Sequence, residues 1–250
     1  MFIPISDDNP TLRFPLMTVL ILLAIGAAWI LLQGAGTDAN VLAASVCNLG
    51  LVPGELTHQA RLDSGVPLGD RFCAIDDDPI NLFTPITSMF LHGSWSHLLG
   101  NCLFLWVFGN NVEDSMGRLR FLIFYLLCGL AGAAAQVLTS PASPVPMVGA
   151  SGAISGVLGA YLLLYPRVRV RVLVVWFLLS LPAYLVLLSW IGLQALNAYA
   201  SRLNPQASGV AVWAHLGGFA AGLLLVHLFR DRTLVAERTI VRHRLHPDHP

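Results

Sequence analysis

No lysine occurs in this 250-residue chain, and charged residues of all kinds make up only 11% of it. The 14 basic side chains are all arginine and are matched by 14 acidic ones, so the formal net charge is zero. Those arginines punctuate apolar runs and form no continuous basic face, which excludes a nucleic-acid partner. The apolar runs contain no acidic residue away from their edges, which excludes a paired-aspartate hydrolase working at membrane depth. The His-Glu-x-x-His spacing of a zinc protease is missing too, and no metal or cofactor is expected. Cys102 and Cys128 fall in apolar runs and read as core residues. Cys47 and Cys73 share one long loop, where an oxidising compartment permits a disulfide, although the sequence leaves that pairing open.

What the chain has in abundance is apolar length. Mean hydropathy is +0.69 and 56% of residues are hydrophobic, values outside the range of soluble domains. Runs of spanning or near-spanning length cover 16–33, 97–112, 119–138, 150–165, 172–194 and 210–229. They predict an all-α, polytopic bundle of six transmembrane helices. Segment 1–15 precedes it, a large outside loop spans 34–96 within the 16–229 membrane domain, and a polar tail covers 230–250. Arg13, Arg118, Arg120, Arg167, Arg169, Arg171 and the arginines after 229 fall on one side, against only Arg61, Arg71 and Arg202 on the other. The positive-inside rule then puts both termini in the cytoplasm, the expected setting being a bacterial cell (inner) membrane. Asp7 and Asp8 before the first run argue against a cleaved signal peptide. Loop 34–96 is long enough to need structure of its own, and its apolar end, Ile80–Leu91, suits the membrane interface. The tail, with His243, His246 and His249, reads as solvated rather than metal-binding.

Two runs each carry a polar group that a bilayer rejects unless it is used. From Ala150 to Leu164 a helix is about 22 Å long, too short for a hydrocarbon core of about 30 Å. Counted from Arg167, it must start below the outer surface, in a recess open to water. Ser151 lies at that start, 16 residues from Arg167, and His215 lies 15 residues from Arg230. His97 and Asn101, four apart on one helical face, fall at nearly the same depth when counted from Glu113. Gly152 with Gly156, and Gly218 with Gly222, form small-residue stripes that let two helix backbones approach. A hydroxyl needs a base to become a nucleophile. Ser151 as nucleophile, His215 as general base, and His97, Asn101 and the Ser151 amide as oxyanion donors form a coherent set. With no carboxylate at that depth, a dyad is expected.

The motifs His92-Gly-Ser-Trp-Ser-His97-Leu-Leu-Gly-Asn101, Gly109-Asn-Asn-Val-Glu113-Asp114 with Gly117, Gly149-Ala-Ser151-Gly, Tyr165-Pro166-Arg167 and Ala214-His215-Leu-Gly-Gly218-Phe-Ala-Ala-Gly222 resemble, together and in order, the rhomboid intramembrane serine proteases. The resemblance runs from Phe83 to Phe229. It implies cleavage of other membrane proteins in or near their transmembrane helices, without cofactor, by a Ser151–His215 dyad with His97 and Asn101 at the oxyanion. The partners it implies are transmembrane substrates and the lipid bilayer; oligomeric state is not legible. Two positions depart from the pattern. An aromatic that many relatives carry one turn after the nucleophile is Ser155 here, which either orients His215 or bonds back to its own helix. A Trp-Arg pair common in the first loop is missing near Asp78-Pro79. A rhomboid-like protein that binds or escorts clients without cleaving them is the alternative, usually marked by loss of the serine or histidine. A His- and Asn-lined transporter would need internal repeats, and none is evident.

Overall fold

A computed structural model describes residues 3–62, 64–203 and 211–245. It is mostly helical. In chain order the elements are β1 (Ile3–Asp7), α1 (Leu16–Leu31), α2 (Ala39–Leu49), α3 (Pro53–Leu56), β2 (Gly65–Leu68), β3 (Arg71–Ala74), α4 (Thr84–Thr87), α5 (Trp95–Phe104), α6 (Asn110–Met116), α7 (Arg118–Thr139), α8 (Ser151–Leu164), β4 (Arg169–Val174), β5 (Phe177–Pro182), α9 (Ala183–Leu203), α10 (Val212–Phe229) and α11 (Arg232–Leu245). Among the described residues α7, α9 and α10 are long and apolar enough to cross a membrane. Their outward faces stay greasy: Leu188 and Leu196 on α9 and Leu224 and Leu228 on α10 are exposed, as expected where lipid replaces water. The chain is an integral membrane protein.

Helix α8 is the axis of the fold. Every residue from Gly152 to Tyr161 is buried, and α7 and α10 flank it. At 14 residues it is about 21 Å long, as short as the sequence implied. Helices α5 and α6 run on through a π-helical turn at Leu105–Gly109. Gly117, at φ +81°, makes the tight corner into α7. The acidic pair before that corner ties this end of the bundle together. Glu113 accepts from the Met17 and Thr18 amides and the Thr18 hydroxyl at 2.8–2.9 Å, capping α1 with a negative charge at its positive end. Asp114 accepts from the Leu12 amide at 2.7 Å and pairs with Arg238.

Three expectations change. The run 172–194 does not form a helix from end to end: β4 and β5 make an antiparallel hairpin, β1 adds to β4, and α9 begins only at Ala183. Alternation of Arg and Val through 167–172 has the period of a strand, and Pro182 closes the second strand, β5, just before α9. The tail is not simply solvated, because α11 packs on α6 and buries Arg238 against Asp114, Asn111 and the ring of Tyr165. On the same side, burial pushes the Asp7 carboxyl up to about 6, against hydrogen bonding from Tyr161. The helix spanning the second run is longer at both ends than 97–112. Val210, His246 and His249 lie outside the described residues. Loop 34–96 carries α2, capped by Asp38, the β2–β3 hairpin, and a Cys47–Cys73 disulfide.

Candidate active site

Local chemistry sets each functional side chain. Ser94 caps α5, its hydroxyl accepting from the His97 amide at 3.2 Å, and this fixes His97 in the first turn with Asn101 one turn on. The chain entering α8 is pinned twice. Leu51 and Met147 exchange two backbone hydrogen bonds, and the Gly149 amide donates to the Ser88 carbonyl at 2.8 Å. Gly149 has φ +125°, and a Cβ there would sit 2.6 Å from His97 Nε2. Only glycine lets the backbone turn into α8 this close to the His97 ring. Ser151 then becomes the first residue of α8, where amides have no intrahelical acceptor and the helix dipole is positive.

Glycines bring the opposing helix in. A Cβ on Gly218 would overlap the Gly152 carbonyl, and one on Gly222 the Gly156 carbonyl, so α8 and α10 touch backbone to backbone. Gly132 on α7 packs closely against the Ala214 carbonyl, where a Cβ would sit at 2.6 Å. Gly222→Ala is therefore expected to wedge the helices apart, lowering the thermal midpoint by an amount equivalent to about 1–3 kcal/mol. Gly100, with open space at its Cβ position, is the control and should tolerate alanine. Equal midpoints for the two variants would mean that the contact yields freely.

The result is a hydrogen bond of 2.7 Å between Ser151 Oγ and His215 Nε2. His215 is buried, and its other ring nitrogen, Nδ1, lies 2.9 Å from Gln194 Oε1 on α9. The Trp190 ring, one turn before Gln194, packs on the imidazole at 5.8 Å between centroids and 41° between planes. His97 Nε2 and Asn101 Nδ2 both lie beside Gly149, two residues before Ser151. The Asn101 amide is buried and its Nδ2 has no acceptor among the described residues. A recess lined by Ser88, Met89, Gly129, Gly149 and Ala214 opens at Ser151. Chemically, this is a half-buried hydroxyl facing a base, with an unspent N–H donor beside the adjoining backbone. No cluster of metal ligands occurs among the described residues.

All four polar residues singled out from the sequence meet here, and both glycine stripes lie in the α8–α10 contact. Ser155 does not reach His215. Its hydroxyl donates to the Ser151 carbonyl at 2.5 Å, the back-bonding alternative. Gln194 and Trp190 escaped the sequence reading. Their signal was their spacing of four, which puts both on one face of α9.

The chain matches the rhomboid domain over residues 80–232. It is 32% identical to YdcA of Bacillus subtilis (strain 168) over 145 residues, 57% of this chain and 65% of YdcA. It is 36% identical to the rhomboid protease GluP of the same organism over 155 residues, 62% of this chain and 28% of GluP. Identity to the mitochondrial rhomboid protein 1 of Saccharomyces cerevisiae is 32% over 148 residues, 56% of this chain and 39% of that protein. In each case the matched stretch is less than two thirds of the relative's own length.

Proposed function

Because the chain belongs to the rhomboid family, we propose that it is an intramembrane serine endopeptidase in which Ser151 attacks and His215 takes its proton. The observation that carries this reading is the 2.7 Å contact between Ser151 Oγ and His215 Nε2. Attack on a peptide carbonyl places negative charge on its oxygen, and Asn101, His97 and the Ser151 amide are its donors. The tetrahedral intermediate then collapses as His215 returns the proton to the leaving amine, and water repeats the cycle on the acyl-enzyme. Six membrane-crossing helices, both termini on the cytoplasmic side, belong to the same proposal. So do a bacterial inner membrane and substrates that are themselves membrane proteins.

A substrate helix hides its carbonyls in i to i−4 hydrogen bonds, so scission needs local unwinding, which is cheapest at Gly or Pro. The preferred substrate therefore carries small or helix-breaking residues near its outer end. Retention of both Ser151 and His215, in hydrogen-bond contact, counts against a client-escorting role without cleavage. Purified protein is expected to react with a fluorophosphonate probe and to lose that reaction in Ser151→Ala. Absence of labelling in the wild type, together with no cleavage of a reconstituted membrane substrate, would overturn the reading.

A further inference from the structure

We propose that Gln194 is a positioning residue: its side-chain carbonyl holds the proton of neutral His215 on Nδ1 and so keeps Nε2 free to accept from Ser151. This rests on the dyad reading and deepens it. A neutral imidazole has one N–H and one bare nitrogen, and the partner of one nitrogen decides the state of the other. Free histidine favours the proton on Nε2, which here would aim a donor at Ser151 Oγ and leave the hydroxyl without a base. Gln194 Oε1 sits 2.9 Å from Nδ1 and only accepts, so it selects the opposite, productive tautomer.

The same α9 face supplies a second restraint. Trp190 packs on the imidazole from four residues away, in the role left empty by the missing aromatic at Ser155, whose hydroxyl is spent on the Ser151 carbonyl. Gln194 is itself buried, so water competes little for Nδ1. When Ser151 attacks, its proton moves to Nε2, the Nδ1 proton stays put, and the Nδ1–H to carbonyl bond becomes charge-assisted. No proton passes to the amide. Gln194 thus stands where a triad places its acid, but as a neutral group that membrane depth tolerates.

The test compares Gln194→Met, which keeps the volume without the acceptor, with Gln194→Glu, which keeps an acceptor and drops the amide donor. Cleavage of a reconstituted membrane substrate, fluorophosphonate labelling rate and thermal midpoint are read together. Met is expected to lower kcat and labelling at least about 10- to 100-fold, the range seen when the hydrogen-bond partner that orients a metal-bound imidazole is removed. KM and midpoint should hold, and Glu should restore most of the rate. Wild-type kcat in Gln194→Met, or equal losses in Met and Glu, would overturn the proposal. A measurement that needs no substitution at 194 is the ¹⁵N spectrum of histidine-labelled wild type, with His215 assigned through His215→Ala. A protonated Nδ1 with a bare Nε2 supports the proposal, and a protonated Nε2 overturns it. A wild type inert to both probe and substrate would overturn the dyad itself, and this inference with it.

Discussion

Ser151→Ala and His215→Ala are each expected to cut kcat for a reconstituted membrane substrate by at least about 10⁴-fold, and the double variant should be scarcely worse than either. The reason is that the two side chains make one device. A serine hydroxyl without a base is a weak nucleophile, and an imidazole with nothing to deprotonate contributes little. The α8–α10 backbone packing that brings them together involves neither side chain, so both variants should stay folded, Ser151→Ala at the wild-type thermal midpoint and His215→Ala lower by about 1–3 kcal/mol for the stranded Gln194 carbonyl. Steady-state cleavage in the two singles and the double, with circular dichroism melts, checks it. Losses that multiply in the double variant would mean independent roles, and turnover in Ser151→Ala above a substrate-only control would mean another nucleophile.

Asn101→Ala is expected to lower kcat about 10²- to 10³-fold with little change in KM, an activation cost of about 2.7–4 kcal/mol. An amide donor already desolvated and fixed needs no reorganisation when the oxyanion forms, which is why one such group has so large an effect. The corollary separates catalysis from folding. Buried Asn101 Nδ2 has no acceptor among the described residues, and a donor left so is costly to the resting protein, by about 1–3 kcal/mol. Asn101→Ala should therefore melt no lower than wild type while losing its rate. His97→Ala should lose less, and the pair more than Asn101→Ala alone. Unchanged kcat in all three would remove these residues from the oxyanion site, and a large drop in midpoint for Asn101→Ala would make it a structural residue instead.

The candidate reacting groups were legible along the chain because a bilayer makes polar side chains conspicuous. Ser151, His215, His97 and Asn101 stood out from apolar surroundings, and the expectation that they share a layer followed from a fixed rise per residue. The short α8, its recessed start and the glycine stripes were equally local features, set by length and spacing. The rhomboid resemblance rested on the same residues.

Gln194 was hidden by a misplaced boundary. A continuous apolar run at 172–194 put it at the end of a helix, where a polar residue attracts no notice. Hydropathy could not separate the β4–β5 hairpin from the helix after it, since Val, Leu and Phe suit both. The structure shifts α9 to Ala183–Leu203, which moves Gln194 to mid-helix and against His215. Burial of Arg238 was hidden for a different cause: α11 is polar by composition, and only Asp114 and Asn111, far away in sequence, make its arginine an interior residue. What the sequence determined by itself was residue type and position along each helix, because those depend on counting along one helix. What only the tertiary structure decided was which neighbours orient His215 and whether Ser155 is one of them, because those depend on how helices rotate and pack against each other, and nothing local to α8 or α10 encodes the partner that α9 brings.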